Sequence, residues 1–218
     1  MSDVVVFAVG SPVVVDYVES LRRNGHRIRA GVRNFDGEVY LPQDEHIIEV
    51  GALTDELKSL PYLVPLFTPG NRQFAVQSAR SLGFQQPLTL VDTPAAMPQH
   101  IQLGQGTYIN AGCSIGAAST FGEFVLINRG ASIGHHADFA RFVSIGPGAV
   151  IAGQVTIGRG SVVGAGAVIL PGIRIGSNAV IAAGAVVIAD VEDQTLVVGN
   201  PAGIRKRSII GYKGIAVE

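Results

Sequence analysis

The chain has 218 residues, with 16 Lys plus Arg against 17 Asp plus Glu and a formal net charge of −1. That near balance removes the electrostatic case for nucleic acid or an anionic membrane surface. With 15% charged residues, 47% apolar residues and 28 glycines, extended disorder is excluded, and the core must be built from small and branched aliphatics. The single Cys113 excludes a disulfide framework and a cysteine-rich zinc site. No basic leader precedes the first apolar run, and no uncharged apolar stretch reaches about 18 residues without glycine. A cytoplasmic location is expected.

An apolar run over 4–9 reads as a strand ending in Gly10-Ser11-Pro12. An amphipathic helix over 13–24 follows, stopped by Gly25. Strands are predicted over 26–32, 47–50 and 63–67, and helices over 53–60 and 72–82. This alternation predicts a small Rossmann-like parallel α/β sheet over residues 1–92. The proline-rich stretch 87–98 carries the chain into a second unit over 93–199, and 200–218 forms a tail whose only dense charge is Arg205-Lys206-Arg207.

From Met97 to Val187 an apolar residue recurs at every sixth position without a break, as in Ile109, Ile115, Phe121, Ile127 and Ile133. Sixteen hits in one phase would arise by chance roughly once in 10⁵ trials, so the period is structural. Four places on sits a small or β-branched residue, such as Cys113, Ala131, Val143, Ala149, Ser161 or Ala185. Each hexad makes one short strand and one corner, and three make a triangular coil. The run gives about five parallel coils with the first-position aliphatics filling the prism.

A small α/β unit followed by hexapeptide coils resembles the NeuD/PglD type of bacterial sugar acetyltransferase. The most specific stretches run from Ile127-Asn128-Arg129-Gly130 through Ser132-Ile133-Gly134-His135-His136, then Val143-Ser144-Ile145-Gly146-Pro147-Gly148 and Val198-Gly199-Asn200-Pro201. The resemblance implies a left-handed β-helix, a homotrimer with sites between subunits, acetyl-CoA as co-substrate and a nucleotide sugar as acceptor. Transfer to an amine or a hydroxyl of that sugar, for surface glycan synthesis, would be the reaction.

His135 matches the family's catalytic base. It stands at a corner, where its side chain cannot enter the prism, and Gly153 holds the same place one coil up. A base beside an accessible backbone N–H is what acyl transfer needs. His136 stands where the family commonly has a carboxylate that orients the base. Ser144 takes a position often held by a histidine near the acyl-CoA. Ala165 and Ala183 match positions whose amides meet the pantetheine arm.

The sugar-nucleotide end departs most from the family pattern. Gly10, Ser11 and Pro12 replace a histidine-containing glycine loop, and Arg33-Asn34 replaces a paired acidic motif. Gly10-Ser11 can hold a phosphate at a helix N-terminus, and Arg33 suits a phosphate or carboxylate. Asn128 matches a position beside the acceptor, and it also fits a corner ladder with Asn110 one coil below. No metal site is expected. A hexapeptide metalloenzyme using His100, His135 and His136 would need several subunits, because His100 and His136 lie two coils apart. A trimeric scaffold that has lost sugar recognition is a further reading. Cys113, at an inward position, is expected in the core.

Overall fold

The structure, a computed structural model, describes residues 2–42 and 45–218. The first unit comprises β1 (Asp3–Phe7), α1 (Val14–Arg23), β2 (Arg27–Arg33), β3 (Ile47–Glu49), α2 (Asp55–Ser59), β4 (Tyr62–Leu63) and α3 (Pro69–Ser81). In α1 the spacing of Val14, Tyr17, Val18 and Leu21 places one apolar stripe on the core, while Arg22 and Arg23 complement the dipole in its last turn. Gly25, at φ +72°, turns the chain out of the helix. Pro69 opens α3 three residues before its predicted start at Arg72.

The four strands are parallel in the order β3-β2-β1-β4. The connection reverses direction at β1, so a crevice opens beyond the carboxyl ends of β1 and β4. The predicted strand over 63–67 is cut short. Only Tyr62 and Leu63 pair with β1, and the following residues turn away toward the second unit.

That unit is a left-handed parallel β-helix. Its first face contains the strands Tyr108–Ile109, Leu126–Ile127, Ser144–Ile145, Val162–Val163 and Val180–Ile181. The second contains Ser114–Ile115, Ser132–Ile133, Val150–Ile151, Val168–Ile169 and Val186–Val187, and the third Ile101–Leu103, Ser119–Phe121, Asp138–Phe139, Thr156–Ile157 and Arg174–Ile175. Each strand pairs with the one a coil later, as in Leu126 with Ser144 and Ile127 with Ile145. The sixth-position residues from Ile109 to Val187 fill one continuous core, with Leu103 and Met97 partly buried at its lower end. Cys113 lies in that core, where burial pushes its thiol pKa up.

The three outer faces differ. The first is covered, because Tyr17 of α1 stacks on Tyr108 at 3.8 Å and Leu126 joins the same core. The strand β5 (Leu90–Val91) leads in by pairing with Tyr108–Ile109. The third face is polar, carrying Gln102, Thr120, Asp138, Thr156 and Arg174. The second face is bare, with Ser114 and Ser132 exposed on its lower coils and an apolar upper part where Val150 is exposed, Val168 and Val186 half-buried, and Leu170 and Ile188 exposed beside them.

The C-terminal segment folds back. Gly203–Lys206 pairs antiparallel with Leu196–Val198, and the buried Val217 is clipped in place by two hydrogen bonds with Asn178. No helix among the described residues is long and apolar enough to cross a membrane.

Candidate active site

The edge between the second and third faces carries the histidines. His135 and His136 follow strand Ser132–Ile133 and are both exposed. Their Nδ1 atoms are 2.9 Å apart with the rings at 89°, so one proton must lie between them. That bond occupies Nδ1 of His135 and leaves Nε2 without a hydrogen bond among the described residues. The ring lies over Gly153: a Cβ there would come within 2.8 Å of both Cε1 and Nε2. Only glycine lets the imidazole settle at this corner. The coils also close tightly below, where a Cβ on Gly134 would meet Gly153 N at 2.4 Å. The Gly153 carbonyl accepts from Gly172, while its N–H makes no backbone hydrogen bond among the described residues.

The edge between the first and second faces is built differently. Asn128 Oδ1 accepts from Asn110 Nδ2 at 3.0 Å, forming the corner ladder. Above it the side chains shrink to Gly146, Gly164 and Ala182, and a cavity of about 370 Å³ opens between Asn128, Pro147, Ala165, Ala183, Phe67 and Tyr212. Ala165 and Ala183 are exposed, and their N–H groups make no backbone hydrogen bond among the described residues. A full face, roughly 15 Å wide, separates this edge from His135 within the chain.

Ser144 faces neither edge. It is buried on the first face, where its Oγ donates to the Phe67 carbonyl at 2.7 Å and accepts from Arg72 Nη2 at 2.9 Å. Arg72 is itself buried, and no carboxylate among the described residues meets it. Its donors reach the carbonyls of Phe124, Leu66, Phe67, Phe142 and Val143, and burial pushes its pKa down to about 10. This cluster pins the turn carrying Phe67 against the coils. The sequence gives no sign of it beyond the departure at Ser144 itself.

The loops at the carboxyl end of the parallel sheet hold the remaining candidates. Gly10 is covered by Phe35, whose Cζ would lie 1.7 Å from a Cβ at that position. Ser11 is half-buried and Pro12 exposed, and their carbonyls start α1 by accepting from Val14 and Val15. Arg33 is engaged with Glu49, its Nε donating to Oε1 at 2.6 Å. Asn34 Oδ1 is buried without a hydrogen-bond partner among the described residues. Phe35 and Asp16 were not among the residues singled out in the sequence, and Asn110 was named only as the lower rung of a corner ladder. The ladder spacing of 18 residues was the one available signal, and it led to Asn110 only as a structural residue.

The family model for the bacterial transferase hexapeptide (six repeats) matches residues 140–171 and 155–189. A histidine-to-asparagine variant of perosamine N-acetyltransferase from Caulobacter crescentus, in complex with CoA and GDP-perosamine, superposes with a TM-score of 0.84 at 27% identity, covering 94% of this chain and 97% of that one. The acetyltransferase domain of PglB from Neisseria gonorrhoeae, in complex with acetyl coenzyme A, gives 0.82 at 26% identity over 93% and 98%. The chain carries the hexapeptide repeat of bacterial transferases and shares its whole-chain fold with these acetyltransferases. PerB from Caulobacter crescentus, in complex with CoA and GDP-perosamine, gives 0.82 at 28% identity over 94% and 98%. No curated protein matches the sequence.

The absent side chain at Gly153 makes room for the His135 ring, and the small side chains of Ala165 and Ala183 leave the opposite corner open.

Proposed function

We propose that the protein is an acetyl-CoA-dependent N-acetyltransferase acting on a nucleotide-linked amino sugar for surface glycan synthesis in the cytoplasm, and that it works as a homotrimer. The observation that carries this reading is His135 seated over Gly153 beside an unpaired amide, at the border of a bare apolar face. Nitrogen is favoured over a hydroxyl as acceptor by the N-acetyltransferase neighbours. An exposed valine face on a charge-poor repeat calls for a partner, and closed rotational symmetry supplies one. Three prisms turning their second faces toward a common axis bring the His135 edge of one against the Ala165–Ala183 edge of the next.

Acetyl-CoA supplies the acetyl thioester. As the amine attacks the thioester carbon, His135 Nε2 takes the proton that the nitrogen loses. The Gly153 N–H donates to the carbonyl oxygen as negative charge builds there. When the carbon–sulfur bond breaks, the proton held by His135 returns to the departing thiolate, leaving an amide. His136 Nδ1 accepts from His135 Nδ1–H, so that Nε2 is the basic nitrogen. It offers less support to the imidazolium than a carboxylate would, since it carries no negative charge.

In the α/β unit, Gly10, Ser11 and Pro12 at the start of α1, with Asn34, are the proposed nucleotide contacts. Arg33 would have to leave Glu49 to join them. Incubation with radiolabelled acetyl-CoA and a panel of nucleotide-linked amino sugars, GDP-perosamine included, is expected to label the sugar nitrogen. Label on no member of the panel would contradict the reading. Light scattering should give about three times the 22.7 kDa chain mass.

A further inference from the structure

The corner ladder fixes the chemistry of the cavity beside it. Asn110 and Asn128 stand one coil apart, and the next coils place Gly146 and Gly164 at the same position, so the ladder stops at Asn128. A backbone N–H can only donate, and two of them set both amides. Ala111 N–H donates to Asn110 Oδ1 at 2.7 Å, and Arg129 N–H donates to Asn128 Oδ1 at 2.8 Å. Asn110 Nδ2 therefore donates in two directions, to Asn128 Oδ1 at 3.0 Å and to Asp16 Oδ2 at 3.3 Å. Asp16 Oδ1 binds the Arg129 guanidinium. Asn128 Oδ1 is thus filled twice, while its Nδ2 has no partner among the described residues, and the residue lines the cavity.

Resting on the transferase reading above, we propose that Asp16 and Asn110 are positioning residues that lock Asn128 as a hydrogen-bond donor, so that the acceptor is gripped there by one of its oxygens and not by its amine. An ammonium group has donors only and cannot accept from Asn128 Nδ2, and a neutral amine that accepted there would spend the lone pair needed for attack, whereas hydroxyl, ring and phosphate oxygens can accept. A flipped Asn128 amide would set its NH₂ against two other donors, Arg129 N–H and Asn110 Nδ2, so the inverted state is excluded by its neighbours. The reacting nitrogen is then free to face the opposite edge, where His135 stands.

Three variants test this. Asn128→Asp keeps an oxygen against Arg129 and Asn110 but turns the cavity-facing group into an acceptor. Asp16→Ala removes the anchor of the ladder, and Asp16→Asn retains one oxygen for Asn110. Acetyl transfer is measured on the amino sugar that the wild-type protein uses, with trimer mass and the KM for acetyl-CoA followed in parallel. Asn128→Asp is expected to raise the acceptor KM about 30-fold or more, and Asp16→Ala about 5- to 10-fold, with the acetyl-CoA KM within about twofold of wild type. Asp16→Asn should restore the acceptor KM to within about twofold. An unchanged acceptor KM in assembled Asn128→Asp overturns the proposal, and so does an equal loss in both Asp16 variants. Should Asn128→Asp fail to assemble, the Asp16 pair decides. A wild-type protein that acetylates no amino sugar overturns the transferase reading and this proposal with it.

Discussion

The two edges that flank the second face carry different chemistry on the same repeat. The His135 edge offers two imidazoles and the Gly153 amide, which makes no backbone hydrogen bond among the described residues. The Asn128 edge offers an amide ladder, small residues at Ala165 and Ala183, and a cavity walled by Phe67 and Tyr212. Inside the prism the same positions are uniform, because packing demands an aliphatic at every sixth place. Outside it, each corner is free to take a functional group. On the proposed reading, one chain holds two halves of a site, separated by a face.

The largest expected effect comes from that face itself. Val168→Glu places a charge where copies would meet, and should yield monomers without activity, checked by light scattering beside an acetyl-transfer assay. Active trimers would mean that another surface joins the subunits. His135→Ala should lower turnover by about 10²–10⁴-fold with little change in apparent CoA affinity. A fully active variant would remove His135 from the mechanism. Gly153→Ala is subtler, since its methyl would sit 2.8 Å from two His135 ring atoms and must displace the imidazole. Turnover should fall about 10- to 100-fold with the trimer intact, because positioning is lost while the base remains. Wild-type turnover would show that the seat on Gly153 is incidental.

A control away from both edges sharpens the contrast. Asp92, buried where the α/β unit meets the coils, would be raised by burial, but Arg23 at 2.8 and 2.5 Å and Ser20 at 2.5 Å hold its pKa below the ordinary carboxylate value. The stabilisation from this depressed pKa is present above about pH 4 and disappears as the pH falls through the folded-state value. Asp92→Asn should cost about 2 kcal/mol at neutral pH, discounted for the partly exposed Arg23, and flatten the acid limb of thermal unfolding. Activity in the assembled variant should stay near wild type. Equal stability at pH 7 would show that the pair contributes nothing net.

The legibility of these parts in the sequence follows their physics. Ile109, Ile127, Ile145 and Val163 announce themselves because one packing rule repeats with one period. His135 and Gly153 stand out because 18 residues bring them to the same corner of adjacent coils. The Arg72 cluster does not, since its partners are carbonyls from Leu66, Phe67, Phe124, Phe142 and Val143, and carbonyls leave no trace in residue type. The same holds for Ser144, whose burial depends on where α3 docks. Phe35 over Gly10 and Asp16 beside Asn110 are tertiary contacts between segments that share no period. Val217 enters the core from a stretch with neither repeat nor amphipathic pattern.

The claim that each site is assembled from two edges of different chains has a direct test. Two variants, His135→Ala and Ala183→Trp, each disable one edge. Purified separately, both should show little acetyl transfer. Unfolded and refolded together in equal amounts, random trimers place an intact His135 edge against an intact Ala183 edge at about one interface in four. The account predicts recovery of about a quarter of wild-type activity in the mixture. Mixed trimers with no recovery would contradict it, and would place both edges of the working site in a single chain.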